Sequence, residues 1–144
     1  MRAVIDTCVV VDALQTREPF YEDARSIFLL CANRQFEGFL TAKSVTDIYC
    51  LTHRQTHSDK VTRAVLTKLC VLFELLDTTE LDVRKAISSE IADFEDAVMV
   101  ETAVRSDADC IVTRNIKDYR NAPISVYTPA GFIKLLTGPF EDQT

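Results

Sequence analysis

The stretch from Asp93 to Tyr119, DFEDAVMVETAVRSDADCIVTRNIKDY, decides how the rest of the chain is read. It divides into a helix, a tight turn, a short strand and a polar loop. Val98, Val100, Ala103 and Val104 form an apolar stripe at helical spacing. The run Cys110-Ile111-Val112 is short, apolar and β-branched, which suits a strand buried on both faces. Thr113, Arg114, Asn115, Lys117 and Asp118 then crowd the strand's C-terminal end. In open parallel sheets that edge is where ligands bind. This unit therefore offers Asp96 near the start of a helix and Asp118 just past a strand.

Working outward, Arg2 to Ile5 reads as a strand with Asp6 at its C-terminal end, and Thr7 caps a helix from Cys8 to Leu14. A loop from Gln15 to Phe20 precedes an amphipathic helix, Tyr21 to Arg34, with Ala24, Ile27, Phe28 and Cys31 on one face. Gly38 to Thr41 is a second strand. Ser44 caps a helix to about Arg54, with Val45, Ile48, Tyr49 and Thr52 at helical spacing. Ser58 opens another helix whose inner face is Val61, Ala64, Val65, Leu69 and Leu72. Phe73 to Leu76 makes a third strand, and a short helix from Leu81 to Ser88 leads into the focal unit. After it come a strand at Ser125–Tyr127, an N-cap at Thr128 with Pro129 at the first helical position, and a closing helix from Ala130 to Leu136. Strands alternating with helical patterns predict an α/β fold with a central, mainly parallel sheet. Residues 1–137 are expected to form one domain, with 138–144 as a short flexible tail.

Composition narrows the functional classes. With 144 residues, 47% hydrophobic and 26% charged, the chain is expected to be a single soluble domain. No apolar run approaches the roughly 20 residues of a membrane span, and MRAVID lacks the apolar core of a signal peptide. The five cysteines are odd in number and widely spaced, which predicts buried, reduced thiols in a cytoplasmic protein rather than disulfides or zinc. Three glycines are too few for phosphate-cradling loops. A net charge of −6 argues against nucleic acid, but the charge is segregated. Thr41 to Cys70 holds five Lys/Arg against two acids, whereas Glu74 to Glu101 holds nine acids against Arg84 and Lys85.

The acids supply the chemistry. Parallel topology sets Asp6 and Asp118 on one sheet edge. Helices that follow strands begin there too, so Asp47 and Asp96 belong with them. Four carboxylates in one cleft repel one another. A divalent cation removes the conflict, and ligation by oxygen alone favours Mg²⁺ or Mn²⁺ over zinc. Each acid has a plainer reading: Asp6 as a cap, Asp96 as a first-turn residue favoured by the helix dipole, Asp47 as a solvated helical residue, Asp118 as an Asx-turn. Asp93, Glu95 and Glu101 read as cap and solvated face. Asp12, Asp107 and Asp109 read as helix-surface and turn residues.

In order, these blocks are Asp6-Thr7 after a strand, a helix bearing Asp47, Phe94-Glu95-Asp96-Ala97, and the run Ala108 to Tyr119. Together they resemble a PIN domain, the last block most specifically, and the resemblance spans Met1 to about Leu136. It implies a three-layer α/β/α sandwich. It further implies a Mg²⁺- or Mn²⁺-dependent endoribonuclease like the toxins of type II toxin–antitoxin pairs (VapC-like ribonucleases), with an antitoxin as partner and a homodimer formed through the apolar helices between Tyr21 and Leu72. Asp6, Asp96 and Asp118 would ligate the metal, Asp47 would be the helix acid, and Thr7, Thr113 and Asn115 would support the site. Such proteins often carry Glu at the helix position; Asp47 is a methylene shorter, which implies ligation through water. The implied reaction is metal-assisted hydrolysis of a phosphodiester to a 5′-phosphate and a 3′-hydroxyl. Arg114, Lys117, Lys60 and Arg63 would hold the RNA backbone.

Other folds with acids at a sheet edge fit less well. A receiver domain wants adjacent acids after its first strand and a lysine at the last core strand, where this chain has Thr7 and Thr113. A haloacid-dehalogenase-like phosphatase needs a second acid at Cys8. His53 and His57 have zinc spacing, but no glutamate follows His53 and no third ligand is evident. The competing class is a PIN-like module that binds RNA or protein without cutting it.

Overall fold

The computed structural model describes residues 1–138, so all of the expected tail except Gly138 lies outside the described residues. At its centre is β1 (Arg2–Ile5), whose Ala3, Val4 and Ile5 are fully buried. The other strands are β2 (Glu37–Thr41), β3 (Glu74–Leu76), β4 (Cys110–Val112) and β5 (Ser125–Tyr127). All pair in parallel, in the order β3-β2-β1-β4-β5. In register, Val4 lies opposite Phe39 and Ile111, and Ile5 opposite Val112.

Strand alternation sorts the core into two layers. Ala3, Ile5, Leu40, Cys110 and Val112 face α1 (Thr7–Leu14), α2 (Tyr21–Ala32), α3 (Ala42–Thr56), α4 (Asp59–Leu72) and α7 (Pro129–Thr137). Val4, Phe39 and Ile111 face α5 (Glu80–Ile87) and α6 (Phe94–Arg105). The result is the expected three-layer α/β/α sandwich. No helix of the described residues is long and apolar enough to cross a membrane.

Several local expectations are corrected. Thr7 does not cap α1 but is its first residue, with Asp6 in the cap position. The cap of α3 is Thr41, whose side chain accepts the Ser44 N–H; Ser44 sits inside the first turn. On α4 the buried positions are Thr62 and Leu69, while Val61 is 51% exposed. Val104 lies outside the α6 stripe, and Val98, Val100 and Ala103 within it are buried. Of the cysteines only Cys31 and Cys110 are buried; Cys50 and Cys70 are exposed, Cys8 is intermediate, and all five are free thiols.

Candidate active site

Strand order reverses between β1 and β4, and the carboxyl ends of these strands define the crevice in which such sheets bind ligands. Asp6 stands there, at the cap of α1. Its carbonyl accepts the Val9 N–H at 3.0 Å, but its side chain makes no capping bond. That carboxylate is left to the crevice, where Oδ2 accepts from the Thr113 hydroxyl at 2.6 Å and the Tyr119 hydroxyl at 3.1 Å. Thr113 is fully buried just past β4, and its Oγ1 accepts the Asn115 N–H at 3.1 Å. Asn115 thus acts through its backbone, orienting the residue that orients Asp6.

Asp96 arrives from the opposite layer. Asp93 caps α6 by accepting the Asp96 N–H at 3.0 Å, which fixes the first turn. The Tyr119 hydroxyl lies 3.1 Å from Asp96 Oδ1 as well as from Asp6 Oδ2. A hydroxyl has one proton to donate, so it serves one carboxylate at a time. Burial, then repulsion from Asp6 and Asp93, pushes the Asp96 carboxyl up to about 7 against the Tyr119 hydrogen bond, with Asp118 adding to the repulsion. Burial, followed by the charges of Asp6 and Asp96, raises the Tyr119 hydroxyl, so it stays protonated.

The crevice is a cleft of about 130 Å³ whose lining includes Asp6, Thr7, Lys43, Asp47, Glu95 and Asp96. Three of the four acids expected from the sequence therefore share it. Asp118 is exposed on a 3₁₀ turn at Ile116–Tyr119, outside the lining but close enough to repel Asp96. Lys43 and Tyr119 are residues that sequence reasoning missed, while Glu95, read as solvated face, is exposed at the cleft mouth. Lys43 Nζ donates to Asp47 Oδ2 at 2.6 Å and lies 3.2 Å from Glu95 Oε1. Partial burial alone would lower the Lys43 pKa; hydrogen bonds to Asp47 and Glu95 raise it instead. The one available signal was the i,i+4 spacing of Lys43 and Asp47.

The four basic residues expected at an RNA backbone are placed differently from one another. Lys117 and Lys60 are exposed. Arg63 is exposed and paired with Asp59 at 2.8 Å. Arg114 donates to Asp12 at 2.8 and 3.3 Å and stacks over the Phe20 ring at 4.3 Å. Asp12, expected on the helix surface, is 1% exposed, because Arg114 follows it inward. His57 leaves α3 in a left-handed cap conformation and His53 stacks on Tyr49, so the helical zinc pair is not formed.

The donors at the cleft suit a hard cation, because Asp6, Asp96 and Asp47 offer oxygen alone. Among the described residues no three His, Cys, Asp or Glu side chains are grouped closely enough to hold an ion by themselves. Mg²⁺ needs fewer, since it keeps several waters and takes one or two carboxylates. The crowding that raises Asp96 is the state that a divalent charge relieves.

No protein of curated function matches the chain. Solved structures share its fold at low identity. The toxin–antitoxin complex from Klebsiella pneumoniae contains a chain 20% identical, covering 88% of this chain and 97% of its own, with a TM-score of 0.64. FitAcB from Neisseria gonorrhoeae is 20% identical over 89% of this chain and 98% of its own, at 0.65. VapC20 from Mycobacterium tuberculosis, described as a sarcin-ricin loop cleaving toxin, is 12% identical over 76% of this chain and 86% of its own, at 0.60. In sequence, residues 2–117 match the PIN domain, a span that includes Asp6, Asp47 and Asp96 and most of the sheet. The chain belongs to the PIN domain family.

Proposed function

We propose that this protein is a metal-dependent endoribonuclease, the toxin of a type II toxin–antitoxin pair. The observation that carries the proposal is the meeting of Asp6 and Asp96 across one buried tyrosine hydroxyl at the carboxyl edge of a PIN-domain sheet. Asp6 and Asp96 would hold Mg²⁺ or Mn²⁺, with Asp118, outside the cleft lining, contributing through water and Asp47 as the helix acid. When bound, such a cation supplies Lewis acidity and a water of lowered pKa for in-line attack on a phosphodiester. The chain's own groups do the positioning. Thr113 holds Asp6 by hydrogen bond, and Thr7 lines the cleft beside it. Asp96 would hold the cation in its ionised form, which the positive charge would favour against the crowding that raises its carboxyl. Lys117, Lys60, Arg63 and, where it can be spared from Asp12, Arg114 would hold the RNA backbone.

The similar structures support an antitoxin partner, since one of them is a chain of a toxin–antitoxin complex from Klebsiella pneumoniae. A homodimer, with the helices between Tyr21 and Leu72 as its surface, and a cytoplasmic site of action complete the reading. The second reading, a PIN-like module that binds RNA or protein without cutting, is favoured by one observation: Asp47 is already paired with Lys43.

The test is cleavage of a mixed single-stranded RNA pool with Mn²⁺ or Mg²⁺, alongside a folded Asp6→Asn/Asp96→Asn double variant. Metal-dependent cleavage that vanishes in the variant is expected. Cleavage surviving in the variant would point to a contaminant, and binding of metal without cleavage of any RNA would favour the second reading.

A further inference from the structure

Four acids line the cleft (Asp6, Asp47, Glu95 and Asp96), and Lys43 is the one basic residue among the lining. Lys43 sits in the first turn of α3, on one face of the sheet; Glu95 sits in the first turn of α6, on the other. The ammonium therefore links the two layers across the cleft mouth, at 2.6 Å from Asp47 and 3.2 Å from Glu95. Its side chain is 33% exposed, and that of Asp47 34%, so the pair is partly withdrawn from water. The oxygen that Lys43 holds, Asp47 Oδ2, belongs to the helix acid of the proposed metal set.

We propose that Lys43 is a built-in competitor for the cation: Asp47 joins a divalent metal only by exchanging the Lys43 ammonium for it. This rests on the nuclease reading above. The physical argument is that the ammonium lies on Asp47 Oδ2 and that an ammonium and a divalent ion crowded against one carboxylate repel each other, even where each takes a different oxygen. An ion that takes Asp47 at full strength therefore displaces the ammonium, or it binds through Asp6 and Asp96 without Asp47. Displacement lowers the net affinity by the strength of the pair, so metal is taken up weakly until something else accepts the ammonium. A phosphate oxygen of a bound strand is the chemically suited acceptor, since a lysine ammonium binds phosphate as a point charge.

The experiment titrates Mn²⁺ into metal-free, full-length protein by calorimetry, on wild type, Lys43→Gln and Lys43→Met, each checked for folding by circular dichroism. The same lysine changes are repeated in an Asp47→Asn/Glu95→Gln background. Loss of Lys43 is expected to tighten Mn²⁺ binding by about threefold or more, the scale of a partly exposed pair. In the second background the gain should vanish. A gain of equal size in both backgrounds would overturn the proposal, because it would report only the removal of a distant charge. Unchanged or weaker binding in both lysine variants would also overturn it, while leaving the nuclease reading intact if wild-type binding is lost in Asp6→Asn. Absence of Mn²⁺ binding in every protein would overturn this proposal and the metal-dependent reading together.

Discussion

Asp96 is a carboxyl group whose ordinary pKa is 3.8 and which burial, with three acidic neighbours, pushes up to about 7. Between those values the folded state binds a proton that the unfolded state has released. Stability is therefore present below about 4 and declines as pH rises toward 7. Asp96→Asn removes that loss, so in EDTA its Tm should exceed that of wild type at pH 8 and match it near pH 4. A lower Tm for the variant at pH 8 would contradict the crowding argument. Added Mn²⁺ should reverse the order at pH 8, stabilising wild type more than the variant. Tyr119 offers the complementary test. Its buried hydroxyl lies between two carboxylates and donates to one of them at a time, and Tyr119→Phe should cost about 2 kcal/mol, the scale of a hydrogen bond to a charged group. The same change should move the Asp96 titration upward when followed by carboxyl carbon NMR. An unmoved titration would mean that the tyrosine does not stabilise the ionised site.

Between elements, the helices α5 and α6 are pinned by one acid. Asp82 is 1% exposed and completes the Thr79 capping box of α5. It also accepts from Thr102 at 2.9 Å and Arg105 at 2.9 Å on α6. Burial alone would raise its carboxyl, but bonds from Arg105, the Thr79 amide and Thr102 outweigh it and hold the pKa down to about 2. The sign here is opposite to that of Asp96: stability is present above about 4 and is lost as pH falls toward 2. Asp82→Ala should cost about 3 kcal/mol by denaturant melts at pH 7 and flatten the acid limb below pH 4; an unaltered acid limb would sink the argument. Much of this level was legible in the sequence, because burial writes itself as apolar runs: Val4 and Ile5 read as part of a strand, Ile111 and Val112 as a strand buried on both faces, and all four are fully buried. What stayed hidden depends on partners far along the chain. Asp12 looks like a surface acid until Arg114, 102 positions away, is placed beside it. Thr41 and Ser44 share capping chemistry within one turn, so the sequence alone could not assign the cap. Val61 and Val104 are apolar yet exposed, since apolarity does not say which side of a helix the core lies on. In the site, Asp6, Asp47 and Asp96 followed from strand ends and helix starts, whereas the Tyr119 bridge required the sheet.

For the whole molecule, the question is how a chain of net charge −6 would hold the polyanion that the proposed function requires. Basic residues cluster between Thr41 and Cys70, but carboxylates of the same chain pair with Lys43 and Arg63 there and with several arginines elsewhere. Arg105 is bound by Asp82, Arg114 by Asp12, Arg84 by Glu80, Arg63 by Asp59, and Lys43 by Asp47 and Glu95. Of the residues assigned to the RNA backbone, Lys60 and Lys117 are exposed, and Arg63 is tied only by a surface pair that is weak in water. Roughly three phosphate contacts are then expected, and single strands give a slope of about −0.7 per contact in a plot of log K against log salt. An Asp6→Asn protein, which binds without cutting on the proposed reading, should therefore show a slope near −2 with single-stranded RNA. Lys117→Gln should make it shallower by about 0.7 and weaken binding alike for different sequences, because backbone contacts carry no sequence information. Arg114→Gln behaves differently: it should lower the melting temperature, by leaving buried Asp12 with only the looser Arg17 contact at 4.0 Å, more than it changes the salt slope. A slope of −5 or steeper, unmoved by Lys117→Gln, would mean that the strand lies on a basic surface other than the one offered by Lys117, Lys60 and Arg63.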